Sequence, residues 1–255
     1  MKTSWGNVAG WYDKVVNDED SYQSKVILPN ILRIMSPKKG EKILDVACGQ
    51  GFFSHALSAE GAHVTGVDIA SELIDIARTH ASHNQEFYVS SADNLRVFKD
   101  KTFDSAVCVL AIQNIEKMAL AFKEVSRVLK PQGKFVITLN HPAFRIPGKT
   151  AWVFDDKAPH GGAQYRRVDE YMSESQTAID MHPGHFGGHE KKELTYSFHR
   201  SLQVYSKTLA NAGFVIARIE EWVSHKDSEK GPRKAAEDKA RREIPMFMCL
   251  ECIKL

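Results

Sequence analysis

The stretch Lys42-Ile43-Leu44-Asp45-Val46-Ala47-Cys48-Gly49-Gln50-Gly51 constrains the fold more than any other part of the chain. An apolar run of strand length enters a glycine turn and leaves it into residues 52–59, whose apolar positions recur at three-to-four spacing. A strand, a tight turn and a helix in that order make half of a crossover, the connection that parallel neighbours require. The alternation continues downstream. Strands are expected at 42–46, 63–67, 86–89, 103–109 and 133–139, with helices at 52–59, 72–80 and 115–129 between them. Lys130-Pro131-Gln132-Gly133 reads as the stop of the last helix, because proline cannot continue it.

This predicts an α/β, doubly wound, mostly parallel sheet of seven strands with helices on both faces. A chain of 255 residues can fill one such core, so a single domain is expected. Residues 1–40 read as N-terminal cap helices, with one or two helices over 8–35, and 41–140 as the ligand-binding core. Residues 141–200, rich in Gly, Pro, His and aromatics, have poor periodicity and read as an insertion over the site after the fifth strand. Residues 201–255 supply a helix at 202–212, a strand at 214–223, a solvated helix within 226–243 and a last strand at 246–253.

The glycine loop precedes a helix N-terminus, where free backbone N–H groups and the absence of side chains let a ligand approach. A dinucleotide fingerprint requires a third glycine three residues after the second, and Ser54 stands there instead. Asp45, four residues before Gly49, can brace the turn or accept a hydrogen bond from an ammonium group. That suits a cationic ligand without phosphates.

With these residues the chain resembles the class I S-adenosylmethionine-dependent methyltransferases, whose glycine-loop motif Asp45-Val46-Ala47-Cys48-Gly49-Gln50-Gly51 matches. Val64-Thr65-Gly66-Val67-Asp68 is similar to the second strand ending in the acid that holds the ribose hydroxyls. Ser91-Ala92-Asp93-Asn94-Leu95 is similar to the segment that meets the adenine. Phe103–Val109 and Leu129-Lys130-Pro131-Gln132-Gly133 resemble the fourth strand and the turn into the fifth. The resemblance implies a Rossmann-like methyltransferase fold with an antiparallel last strand. It also implies S-adenosyl-L-methionine as cofactor, leaving S-adenosyl-L-homocysteine. The cofactor residues it implies are Asp45, Ala47, Cys48, Gly49, Gly51, Asp68, Ile69, Ala92, Asp93, Asn94 and Leu110, with Tyr12 closing over the methionine end and Tyr22 as a second candidate.

Leu110-Ala111-Ile112-Gln113-Asn114 lacks the Pro-Pro-aromatic motif of enzymes that methylate nucleic-acid bases, and 34 basic against 32 acidic residues give no phosphate-neutralising field. A small-molecule acceptor methylated on O, N or C is therefore expected, with no nucleic-acid or membrane partner. The rivals are an RNA- or protein-modifying methyltransferase and a non-catalytic cofactor-binding protein. His141, just past the fifth strand, is a candidate general base. His182, His185 and His189 invite a metal reading, but no local carboxylate or thiolate completes a ligand set, and a lid or turn is expected rather than a metal site. Four scattered cysteines and the lack of a signal-peptide pattern lead to the expectation of a cytoplasmic monomer or homodimer.

Overall fold

The structure, a computed structural model, describes residues 18–159, 162–180 and 194–255. Tyr12 and the histidines at 182, 185 and 189 lie outside the described residues.

A π-turn (Gln23–Ile27) leads into α1 (Leu28–Met35). The core then alternates β1 (Lys42–Val46), α2 (Phe52–Ala59), β2 (His63–Asp68), α3 (Ser71–Thr79), β3 (Gln85–Val89), β4 (Phe103–Val109), α4 (Met118–Val128) and β5 (Leu129–Asn140). Two antiparallel hairpins follow, β6 (Thr150–Asp155) with β7 (Ala163–Val168) and β8 (Ser175–Asp180) with β9 (Leu194–His199). The chain closes with α5 (Leu202–Asn211), β10 (Phe214–Trp222), α6 (Lys234–Glu243) and β11 (Phe247–Lys254).

The main sheet has seven strands in the order β10-β11-β5-β4-β1-β2-β3. Only β11 runs against its neighbours, inserted between β5 and β10. The central strands are apolar throughout because both faces are covered, as parallel sheets require. Along β4, Ala106 and Cys108 belong to the apolar cluster on one face, which includes Phe122, Phe135 and Tyr205. Val107 and Val109 belong to the cluster on the other, with Ile31, Leu57 and Trp222. The same alternation divides Cys249 from Cys252, and all four cysteines are buried free thiols. Strand order reverses between β1 and β4, where an open α/β sheet leaves a crevice beyond its carboxyl ends.

Four expectations are corrected. The helix expected at 115–129 begins three residues later, at Met118, after a 3₁₀ turn (Ile112–Asn114). The carbonyls of Ile115 and Glu116 are taken by the Arg200 guanidinium at 3.0 and 2.8 Å, which holds these residues out of the helix. Residues 130–133 do end the helix, but inside β5: the ladder pairs Phe103 with Leu129 and next Ser105 with Lys134. Residues 141–200 hold regular hairpins whose apolar alternation is muted because both faces of β7 are partly exposed and the buried face of β9 is polar, with Thr195, Ser197 and His199. The helix within 226–243 is also less solvated than expected, since Asp238 is buried and accepts from Ser228 N–H at 2.7 Å and Lys234 Nζ at 2.6 Å.

Candidate active site

β1 ends in the glycine loop. Ala47 and Gly49 adopt left-handed backbone (φ 57° each), and Gly51 (φ 89°) caps α2. Leu110, at the end of β4, is left-handed as well (φ 54°), its N–H fixed to Thr138 O at 2.7 Å. Such a backbone costs a non-glycine residue about 1–2 kcal/mol. Finding both Ala47 and Leu110 in it at the mouth of one crevice marks that crevice as the site the fold is strained to shape.

The crevice is a cleft of about 840 Å³ lined by Asp45, Ala47, Cys48, Gly49, Asp68, Ile69 and Leu110 among the expected residues. An adjoining cleft of about 670 Å³ shares Ala47, Asp68 and Ile69 and adds Ala92 and Asp93. Asp68 stands between the two, 8% exposed. Its Oδ2 accepts from Gly49 N–H at 3.0 Å and its Oδ1 from Ala70 N–H at 2.8 Å, so the end of β2 is tied to the glycine loop. Burial raises its pKa against these backbone donors. Asp45 is 2% exposed, and burial pushes its carboxyl up to about 7 despite the Ser54 hydroxyl, with Asp68 adding repulsion. Ser54 Oγ donates to Asp45 Oδ2 at 2.6 Å. The position that a dinucleotide site gives to glycine here holds the brace of the acid.

Gly51 does not line the cleft. A Cβ there would meet His55 Nε2 at 3.0 Å and Phe87 Cζ at 3.1 Å, so this glycine serves loop packing. Asn94 is likewise a turn residue, its N–H on Ser91 O and its carbonyl accepting from Ser90 Oγ. Asp93 sits beside Lys117 at 3.8 Å and accepts from Ser91 Oγ. Cys48 is buried, and burial lifts its thiol pKa, which removes it as a nucleophile.

Of the two roles open to His141, general base or loop anchor, its hydrogen bonds fit the anchor. Its Nδ1 accepts from the N–H groups of Ala143 and Phe144 at 3.2 and 3.4 Å, which leaves Nε2 as the donor to Glu221 Oε1 at 2.7 Å. Both nitrogens are committed, burial lowers the pKa against the pull of Glu221, and the ring stacks on Phe144 away from the cleft lining. Tyr22 hydrogen-bonds Ser224 Oγ at 3.1 Å and packs edge-on against Phe247. Sequence reasoning missed Phe52, Phe53 and Leu73 as cleft walls. The signal available for the first two was their place in the first turn after the loop.

The donor set fits a sulfonium ligand. Two carboxylates face the main cleft, and among the described residues neither Lys nor Arg lines it, so a pyrophosphate would find no counter-charge from them. An ammonium and a sulfonium would offset the two acids.

The cleft is thus similar in place and donor set to the cofactor site of class I S-adenosylmethionine-dependent methyltransferases. Residues 44–137 match the family model described as "Methyltransferase domain". The chain is 33% identical over 140 residues to a demethylmenaquinone methyltransferase of Staphylococcus haemolyticus, covering 53% of this chain and 59% of that one. It is 29% identical over 164 residues to a ubiquinone biosynthesis O-methyltransferase of Xylella fastidiosa, covering 62% and 67%. The chain thus spans about three fifths to two thirds of these relatives. A crystal structure of an S-adenosylmethionine-dependent methyltransferase from Mesorhizobium loti shares the fold with a TM-score of 0.67 at 24% identity, over 88% of this chain and 96% of that one.

Proposed function

We propose that the chain transfers the methyl group of S-adenosylmethionine to O, N or C of a small-molecule acceptor. The observation that carries this is the cleft at the sheet's switch point, with two buried carboxylates and no cation among the described residues of its lining. When bound, the cofactor supplies an electrophilic methyl group on a positively charged sulfur. The chain's own residues bind and position. Gly49 admits the ligand, Asp68 accepts from the ribose hydroxyls, Asp93 and Ala92 frame the adenine, and Asp45 faces the ammonium. Phe52, Phe53 and Leu110 keep water from the methionine end. In-line displacement at a methyl group depends chiefly on alignment, and no side chain of the cleft needs to act as base.

The relatives named for demethylmenaquinone and for ubiquinone biosynthesis support a quinone-type ring as acceptor, and the latter name supports oxygen as the attacking atom. A net charge of +2 supports a small molecule over a nucleic acid. Calorimetry with S-adenosylhomocysteine and with NADH, followed by labelled-methyl transfer to a panel of catechols, phenols and amines, tests the reading. Binding of the homocysteine product and transfer to at least one acceptor are expected. Binding of NADH alone would end it.

The raised pKa of Asp45 gives a pH dependence. Ionising this buried acid costs the unliganded fold stability as pH rises from about 3.9, its unfolded value, to about 7. The ammonium of the cofactor selects the ionised form, so affinity for S-adenosylhomocysteine should rise with pH through about 7 and then level. With that pKa about one carboxyl in ten is ionised at pH 6, so binding there should be roughly tenfold weaker than at the plateau. Asp45→Asn should flatten the profile. A wild-type profile without slope between pH 6 and 8 would separate Asp45 from the ammonium.

A further inference from the structure

Gln50 stands between the two loop glycines, two residues before α2 begins, and it lines the main cleft. The residue is 5% exposed, and its Nε2 is buried with no hydrogen-bond partner. Native chains rarely leave an amide donor in that state, because its lost hydration is not replaced. A ligand atom that accepts would replace it. The neighbouring backbone favours the same kind of atom: α2 begins without a side-chain cap and without an acid in its first turn, so the positive end of the helix is open beside Gln50. Ser54, in that turn, gives both its N–H and its hydroxyl to Asp45.

The other polar side chains of the lining are engaged or lack a donor. Asp45 and Asp68 only accept when ionised. Cys48 turns its thiol to Gly49 O at 3.6 Å, and Asn114 directs Nδ2 to Tyr196 O at 2.9 Å. Among the described residues Gln50 is left as the lining side chain whose donor is wholly free. It lines the main cleft but not the adjoining one that contains Ala92 and Asp93, so its donor serves the end of the ligand away from the base. The amino-acid end of S-adenosylmethionine has two charged groups there. Its ammonium needs an acceptor, which Asp45 supplies, and its carboxylate needs a donor.

Resting on the methyltransferase reading, we propose that Gln50 anchors the α-carboxylate of the cofactor, with Nε2 donating to a carboxylate oxygen at the N-terminus of α2. Asp45 and Gln50 then divide one zwitterion between them. A lysine or arginine in this position would also hold a carboxylate, but it would repel the sulfonium and pair with Asp45 or Asp68. An amide donates without bringing charge.

The test is calorimetry on the full chain with three probes: S-adenosylhomocysteine, its decarboxylated analogue, which keeps the ammonium, and 5′-methylthioadenosine, which lacks the whole amino acid. Wild type should bind S-adenosylhomocysteine about tenfold or more tightly than the decarboxylated analogue, the scale of one hydrogen bond to a charged group. Gln50→Met, which keeps the shape and removes the donor, should erase that preference while leaving the affinities of the other two probes unchanged. Gln50→Glu should reverse it, because the new carboxylate repels one probe and attracts the other. The unliganded Gln50→Met chain should melt at or above the wild-type temperature, since the amide it loses was unpaired. A lower melting temperature assigns the amide to the fold and overturns the proposal. Equal binding of S-adenosylhomocysteine and its decarboxylated analogue by wild type overturns it without any variant, as does a preference that survives Gln50→Met or a loss shared by all three probes. Wild type that binds none of the three ends the methyltransferase reading, and the anchor with it, whereas wild type that binds all three alike ends the anchor alone.

Discussion

Asp68→Ala is expected to weaken S-adenosylhomocysteine binding by a hundredfold or more while the chain still folds. In the free protein the carboxylate accepts from Gly49 and Ala70 N–H groups, so its removal frees the glycine loop from the end of β2. With ligand it is proposed to accept from the ribose as well. Hydrogen bonds to a charged group contribute about 1.5–3 kcal/mol each, and losing two of them amounts to roughly two to four powers of ten in affinity. Asp68→Asn should fall between, since one amide oxygen can still accept while the NH₂ opposes a backbone donor. Calorimetry reads the affinity and urea unfolding reads the fold. An alanine variant within threefold of wild type would remove Asp68 from the ribose site.

Gly66→Ala should be the most damaging single methyl group in the cofactor half of the sheet. Gly66 sits inside β2, and a Cβ there would lie 2.6 and 2.7 Å from Phe87 ring carbons and 2.8 Å from Cys48 Sγ. Neither neighbour is a free side-chain end: Phe87 and Cys48 are buried with Ile74 and Ala77. Overpacking of this kind costs about 1–3 kcal/mol, which lowers the melting temperature of a chain this size by roughly 2–4 °C for each of them. Displacing Cys48 also moves the loop it belongs to, so S-adenosylhomocysteine affinity should fall together with stability. Thermal unfolding with and without ligand measures both. A melting temperature equal to wild type would show that Phe87 swings aside freely.

Both predictions concern residues visible in the sequence, Asp68 as the acid ending a strand and Gly66 as a glycine inside one. Local order made them legible: strand, glycine loop, helix and strand-terminal acid follow one another within about thirty residues, and periodicity reports such neighbours directly. What stayed hidden depends on contacts between distant segments. Arg200 shortens α4 by capturing carbonyls 84 and 85 residues away, which no helical pattern at 115–129 can register. His141 looked like a base because it follows a strand facing the crevice, but the N–H groups of Ala143 and Phe144 take the lone pair a base would use, and Glu221, 80 residues on, takes its N–H. Ser54 was legible only as a missing glycine, and its role appears once Asp45 is seen beside it. The hairpins of 141–200 were obscured for another reason, since β7 is partly exposed on both sides and β9 buries Thr195, Ser197 and His199, which give no apolar alternation.

The second hairpin is joined to the cleft in an unusual currency. Arg200 binds the carbonyls of Ile115 and Glu116, and Asn114 Nδ2 donates to the carbonyl of Tyr196 at 2.9 Å. Every amino acid brings a carbonyl, so on the receiving side the attachment is indifferent to side-chain identity. Residues 116 and 196 can be exchanged without loosening the hairpin, whereas Arg200 and Asn114 cannot, and Ile115 is held besides by its packing on the core. Libraries that redesign acceptor preference should therefore hold these two donors fixed and vary positions 116 and 196, where new chemistry can be introduced against an unchanged frame.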